Sequence, residues 1–175
     1  GIYFSENQEN TGFVLTAAHV VTRASNIEIV NAAGERADAI IHAVDNRRDL
    51  AVLKTSLRGP AMNLGNDDIP VGTHVCVIGN SFGLGNSMSC GVVSALNRRN
   101  IGFNGIEDFI QTDAAVNPGG SGGALIDGEG RLLGLVDGIF TKDADIDAGV
   151  NFAISLSLIR DGLTEMRAAG VLFSE

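Results

Sequence analysis

The 175-residue chain carries 21 acidic residues against 12 Lys plus Arg, a net charge of −9 that repels phosphate backbones and argues against a nucleic-acid partner. A hydrophobic content of 45% excludes a disordered chain, and no apolar stretch approaches the length of a bilayer-spanning helix. Twenty-three glycines among many Val, Ile and Leu fit an all-β architecture with tight turns.

The chain opens at Gly1-Ile2-Tyr3-Phe4, without an initiator Met or signal peptide, and reads as a processed fragment. Residues 2–5 and 13–16 predict two short strands joined by a polar turn, and residues 17–21 one helical turn. A hairpin follows over 26–30 and 36–44, then a strand at 50–54. The pattern fades across 56–70, so residues 1–58 form a first half and 59–70 a crossing segment. Strands resume at 73–79 and 88–95, and a polar loop over 97–108 leads to a strand at 109–112. A hairpin over 124–126 and 131–136 and a last strand at 150–154 complete a second half, residues 71–154. Residues 155–170 predict a closing helix capped by Ser155 or Ser157, with Leu158, Ile159, Leu163 and Met166 on one face. Gly162 inside it costs about 1 kcal/mol relative to Ala.

The two cysteines, Cys76 and Cys90, flank the loop Ser81-Phe82-Gly83-Leu84-Gly85 almost symmetrically. They could face each other across a hairpin, but a cross-strand disulfide is geometrically demanding, and two buried free thiols are the expectation. His42 and His74 read as strand histidines, because no His/Cys cluster accompanies them, and no metal or other cofactor is expected. Asp143-x-Asp145-x-Asp147 resembles the start of a calcium loop. Gly falls one place late, however, and Ile154 stands where Glu belongs, so it reads as a solvated loop.

Chemistry concentrates in Asn117-Pro118-Gly119-Gly120-Ser121-Gly122-Gly123. Clustered glycines suit a backbone that needs φ > 0 or close approach, and a serine at the tip sits among unobstructed N–H groups. A serine hydroxyl needs a base. Gly119-x-Ser121-x-Gly123 matches the nucleophile elbow of α/β-hydrolases, but those place their His after the Ser, and His19, His42 and His74 all precede Ser121. The order His, Asp, Ser remains. His19 ends an apolar strand, and Asp49 directly precedes a buried one, where its carboxylate can reach an imidazole N–H.

These segments resemble a known family. Residues 14–21 resemble the histidine segment of trypsin-like serine proteases, and Asp49-Leu-Ala-Val-Leu their aspartate segment. Gln111-Thr-Asp-Ala-Ala-Val-Asn-Pro-Gly-Gly-Ser-Gly-Gly-Ala-Leu resembles the serine segment of the HtrA (Deg) branch, as do Ile78-Gly-Asn-Ser-Phe-Gly-Leu and Gly149-Val-Asn-Phe-Ala-Ile-Ser two further signatures. The resemblance implies two six-stranded antiparallel β-barrels of the chymotrypsin type with a C-terminal helix. It implies His19 as general base then acid, Asp49 as its orienter and Ser121 as nucleophile, with the N–H groups of Gly119 and Ser121 as oxyanion hole. Ala115 and Val116 would form the base and wall of the S1 pocket, Gly138 and Ile139 would pair with substrate backbone, and Gly149 and Asn151 would line the far side. With no acid at the base, a small to medium apolar P1 residue is expected.

The implied activity is a serine endopeptidase cutting unfolded or exposed protein segments in protein quality control; a catalytically silent peptide-binding module is the alternative. A homotrimer, a PDZ domain in the full-length protein and a bacterial periplasmic location are implied as well. Gly120 and Ala124 depart from the branch, where Asn and Pro are usual, and Gly120 is expected to loosen the turn so that the oxyanion hole needs substrate or a regulator to order it. Asp137 falls just before the substrate-binding strand. It either lies beside Asp49, where one of two carboxylates would be pushed up, or points to solvent.

Overall fold

The computed structural model describes residues 1–4, 11–139 and 149–171; the Asp143-x-Asp145-x-Asp147 segment lies outside them. Strands β1 (Ile2–Phe4) and β2 (Gly12–Ala17) lead into a four-residue helix, α1 (Ala18–Val21). Then come β3 (Ile27–Val30), β4 (Arg36–Asp45) and β5 (Leu50–Thr55). Across the irregular crossing follow β6 (His74–Gly79), a 3₁₀ turn over Ser81–Gly83, β7 (Ser87–Arg98), β8 (Phe109–Thr112), β9 (Ala124–Asp127), β10 (Leu132–Ile139) and β11 (Asn151–Ser155). Helix α2 (Leu156–Ala168) closes the chain.

The second half closes into a six-stranded barrel, β10-β11-β8-β7-β6-β9. The first half is a five-stranded half-barrel, β1-β2-β5-β4-β3, in keeping with the expected two-barrel plan but one strand short of six among the described residues. Among the described residues β1 pairs only with β2 and β3 only with β4, so no ladder joins the two edges.

Period-2 alternation explains how β2 and β5 can be buried on both faces. Phe13, Leu15, Leu50 and Val52 face a core shared with Phe109, Leu135, Phe152, Ile154, Ile159 and Met166 of the second half. Their neighbours Val14, Ala51 and Leu53 pack beneath Ala18 and Val21. The barrel interior is filled by Val75, Val77, Val93, Ile110, Leu125, Val136 and Ala153.

Ser155 is the helix cap, its Oγ accepting the Leu158 N–H at 3.3 Å. Gly162 has a packing reason: a Cβ there would come within 2.7 Å of Leu50 Cδ1 and 3.2 Å of Arg48 Cδ. The helix runs this close because the buried Arg48 clamps it, with Nη1 at 2.7 Å from Asp45 and Nη2 at 2.5 Å from Glu165. The turn that precedes Asp49 is thereby tied to α2.

Cys76 and Cys90 form a disulfide, not two free thiols. They stand directly opposite each other in the β6–β7 ladder, which supplies the geometry the sequence alone leaves open. Their sulfurs are therefore consumed beside His74, and His42 packs on the Phe13 ring at 5.3 Å.

The glycine-rich loop between β8 and β9 is seated where the halves meet. Gly122, at φ +78°, lies so close to β2 that a Cβ would come within 2.2 Å of Thr16 Oγ1. Its N–H donates to Val136 O at 2.8 Å, stitching the loop to β10.

Gly122→Ala should lower stability by about 2–4 kcal/mol, combining a left-handed alanine with overpacking; denaturant midpoints at unchanged m-value read it. A separation of 14 residues gives the disulfide about 3 kcal/mol of chain-entropy stabilisation. The Cys76→Ser/Cys90→Ser variant should melt correspondingly lower, and unreduced denatured protein should titrate no free thiol.

Candidate active site

The β2–β5 ladder ends with Ala17 opposite Leu50, and just beyond it the Ala18 N–H donates to Asp49 O at 3.0 Å. This register brings His19 and Asp49 together across 30 positions of sequence. Asp49 adopts φ 57°, a left-handed conformation that Asp tolerates better than most residues. Its carboxylate accepts the His19 backbone N–H at 2.8 Å through Oδ1, and Oδ2 lies 2.5 Å from His19 Nδ1. Asp49 is buried, whereas half of the imidazole surface is open to solvent.

The electrostatics follow from this geometry. The hydrogen bond to Asp49 raises His19 above its usual value; partial burial opposes it, and the charges of Asp49 and Asp137 add to it. Burial pushes the Asp49 carboxyl up, but bonds from the His19 ring, Asp137 and the His19 backbone N–H outweigh it and leave the group below the usual range.

Ser121 belongs to a closed loop. The Gly120 N–H donates to Asn117 O at 2.8 Å, making a turn with Pro118 and Gly119 (φ +92°) at its centre, as a type II turn requires. Pro118 O accepts the Phe82 N–H at 2.7 Å, so planarity of the trans peptide directs the Gly119 N–H to the opposite side. A Cβ on Gly119 would meet Asn80 O at 2.5 Å. The turn at Gly120 is closed by the Gly120 N–H bond to Asn117 O. Gly120 is buried against Gly79, whose added Cβ would approach Gly120 Cα to 3.1 Å, so smallness here serves close packing.

Ser121 Oγ donates to Asp137 O at 2.9 Å, and among the described residues no hydrogen bond joins it to His19. Asp137 is placed by a β-bulge. Val136 pairs with Ala153 and Gly138 with Phe152, adjacent residues on β11, so residue 137 is the extra one. A bulge re-aims its side chain. The carboxyl turns inward, 6% exposed, with Oδ1 at 3.9 Å from His19 Nδ1. Of the two orientations the sequence left open, the one beside Asp49 is adopted. Burial first, then the hydrogen bond and charge of Asp49, push Asp137 up to about 7.

The sequence reading missed Asn104, whose Nδ2 donates to Asp137 Oδ2 at 2.9 Å. Its loop is gathered by Glu107, which accepts N–H bonds from Ile101, Gly102, Phe103 and Asn104 at 2.6–3.0 Å. The resemblance and the polarity of residues 97–108 imply a loop beside the active site, but not which of its residues reaches in. Asn104, Phe103, Asp137, Gly138, His19 and Asp49 line one open cleft of about 800 Å³.

The remaining predicted positions lie on the segment before the glycine loop and on or next to β10 and β11. Val116 is buried and Ala115 half-buried in the segment before the glycine loop, and Ala115 O is held by Ser89 Oγ. Asn151 is fully buried and donates to Ala114 O at 3.1 Å, tying β11 to that segment. Gly138 and Ile139 end β10, Ile139 paired with Asn151, and Gly149 stands at φ +70° just before β11. The site thus unites a held imidazole–carboxylate pair with a serine on a rigid glycine loop and a neighbouring half-buried segment.

Residues 1–135 match the family model of the trypsin-like peptidase domain. The chain is 38% identical over 160 residues to the periplasmic serine endoprotease DegP of Salmonella typhimurium, covering 89% of this chain and 33% of that protein. The HtrA-type protease AlgW with decapeptide matches at a TM-score of 0.86 and 39% identity, over 96% of this chain and 51% of that one. A serine endoprotease from Yersinia pestis matches at 0.77 and 30%, over 96% and 57%. The chain spans about a third of the length of the curated relatives it matches. The chain belongs to the trypsin-like peptidase family and is similar to its HtrA (Deg)-type members.

Proposed function

We propose that the chain is the catalytic domain of a serine endopeptidase. The observation that carries this reading is the Asp49 carboxylate gripping both the backbone N–H and the ring nitrogen of His19, opposite a serine on a closed glycine loop. His19 is the base. Its Nδ1–H is fixed by Asp49, so Nε2 is left to accept a proton. Ser121 Oγ leaves Asp137 O, gives its proton to Nε2 and attacks the scissile carbonyl. The N–H groups of Gly119 and Ser121 take the developing oxyanion, each worth about 2.7–4 kcal/mol in transition-state stabilisation. The imidazolium, stabilised by Asp49, then protonates the leaving amine, and water repeats the cycle to release the acyl group.

Substrate backbone pairs with Gly138 and Ile139, and the P1 side chain enters a pocket formed by Ala115, Val116, Gly149 and Asn151. The glycines and the apolar Val116 favour a small to medium apolar P1 residue. Unfolded or exposed segments of proteins are the substrates, as suits protein quality control, and a homotrimer and a PDZ domain elsewhere in the protein belong to the same reading. An extracytoplasmic location, the bacterial periplasm, agrees with the disulfide and with the periplasmic names of the relatives.

Ser121→Ala and His19→Ala should each lower kcat by about 10⁴-fold or more, with the double variant no worse, because the two act as a unit. A fluorophosphonate should label Ser121 only while His19 is intact; no labelling under any condition would leave a peptide-binding module. The base must be neutral to act, and its folded value lies above 6.5, so kcat/KM should rise with pH through a midpoint above 6.5. An acidic limb centred below pH 6 would contradict the assignment.

A further inference from the structure

Asp137 touches every member of the site. Its carbonyl holds Ser121 Oγ at 2.9 Å, its carboxyl is gathered with that of Asp49 and the His19 ring nitrogen within 4.8 Å of one another, and Oδ1 lies 3.9 Å from His19 Nδ1. The groups that face it are His19 from α1, Asp49 from the β4–β5 turn and Asn104 from the 99–108 loop; Arg23 lines the same cleft without pairing to it. Two buried carboxyls this close oppose each other's ionisation, which favours a proton on one of them. Asp49 already accepts two N–H bonds from His19, which favour its anion. Asp137 accepts one amide N–H, from Asn104, and is the better seat for the proton.

We propose that Asp137 is a positioning residue of the His19–Asp49 pair, a neutral buried acid, aimed by Asn104, that donates its O–H to Asp49 and keeps that carboxylate turned toward the imidazole. This rests on the reading of His19 and Asp49 as base and orienter. When Asp137 loses its proton, Asp49 loses a donor and a second negative charge faces the ring, which strengthens its hold on a proton. On this reading the titrations of His19 and Asp137 depend on each other, the Asp137 charge raising His19. The bulge at residue 137 is what makes the arrangement reachable: it leaves the carbonyl free for Ser121 and turns the side chain inward.

Asn and Ala at this position separate the roles. Asp137→Asn keeps a donor for Asp49 and an acceptor for Asn104 but removes the titration. Asp137→Ala removes donor and acceptor together, and both variants keep the backbone carbonyl. The His19 imidazole is titrated by NMR in a Ser121→Ala background, where no turnover is needed, so this result stands even if the enzyme reading fails on peptide substrates. The titration should show two inflections with Asp137 present and one with Asp137→Asn, displaced to lower pH by about half a unit or more. In the active protein, Asp137→Ala should lower kcat about 10- to 100-fold with KM within about threefold, and Asp137→Asn should recover at least about tenfold of that loss. A single inflection at the same pH in both proteins overturns the proposal, as does equal kcat for the Asn and Ala variants. If the Ala variant does not fold, the titration still decides.

Discussion

The hydrogen bond from the Ala18 N–H to the Asp49 carbonyl, at 3.0 Å, is the constraint on which the site depends. It extends the β2–β5 ladder by one step past Ala17 and Leu50, and that step places the next residue, His19, on the carboxylate of Asp49. Everything that secures the ladder secures the pair. Alternate residues of both strands are buried on opposite faces, so a slip of one position would turn Phe13, Leu15, Leu50 and Val52 out of the shared core. Arg48, clamped between Asp45 and Glu165, fixes the turn from the other end.

The serine reaches this pair only if the two halves dock. Gly122 against Thr16 of β2 sets that distance by leaving no room for a side chain. On the proposed reading, an oxyanion site acts by being oriented before charge develops, which a loop held at Pro118 O, Gly120 N and Gly122 N would suit. In the resting arrangement the serine hydroxyl is held by Asp137 O. A single bulged residue thus lies between the serine hydroxyl, the imidazole and the carboxylate.

Much of this was legible in the chain. The order His19, Asp49, Ser121 excluded one hydrolase class, and segment by segment the resemblance implied the fold; the apolar face and N-terminal cap of α2 followed from spacing. What was not legible depended on register. The disulfide needs Cys76 and Cys90 directly opposed, and no spacing argument distinguishes that from an offset by one. The inward turn of Asp137 needs a bulge whose pairing partners, Phe152 and Ala153, lie on β11. Asn104 sits in a loop without periodicity, and the reason for Gly162 is a contact with Leu50, over a hundred positions away. The first half reads as a barrel by resemblance, but its described edges, β1 and β3, stay unjoined.

The central claim is that a preformed glycine loop serves Ser121 beside the His19–Asp49 pair. The most direct test is a crystal structure of the chain with a peptide boronic acid bearing Val or Leu at P1. The account predicts a covalent bond from boron to Ser121 Oγ, freed from Asp137 O, with one boronate oxygen on the N–H groups of Gly119 and Ser121 and the 117–120 turn unchanged. A Ser121 left unmodified at saturating inhibitor, or an adduct whose oxygen points to solvent while Gly119 N–H faces away, would contradict it.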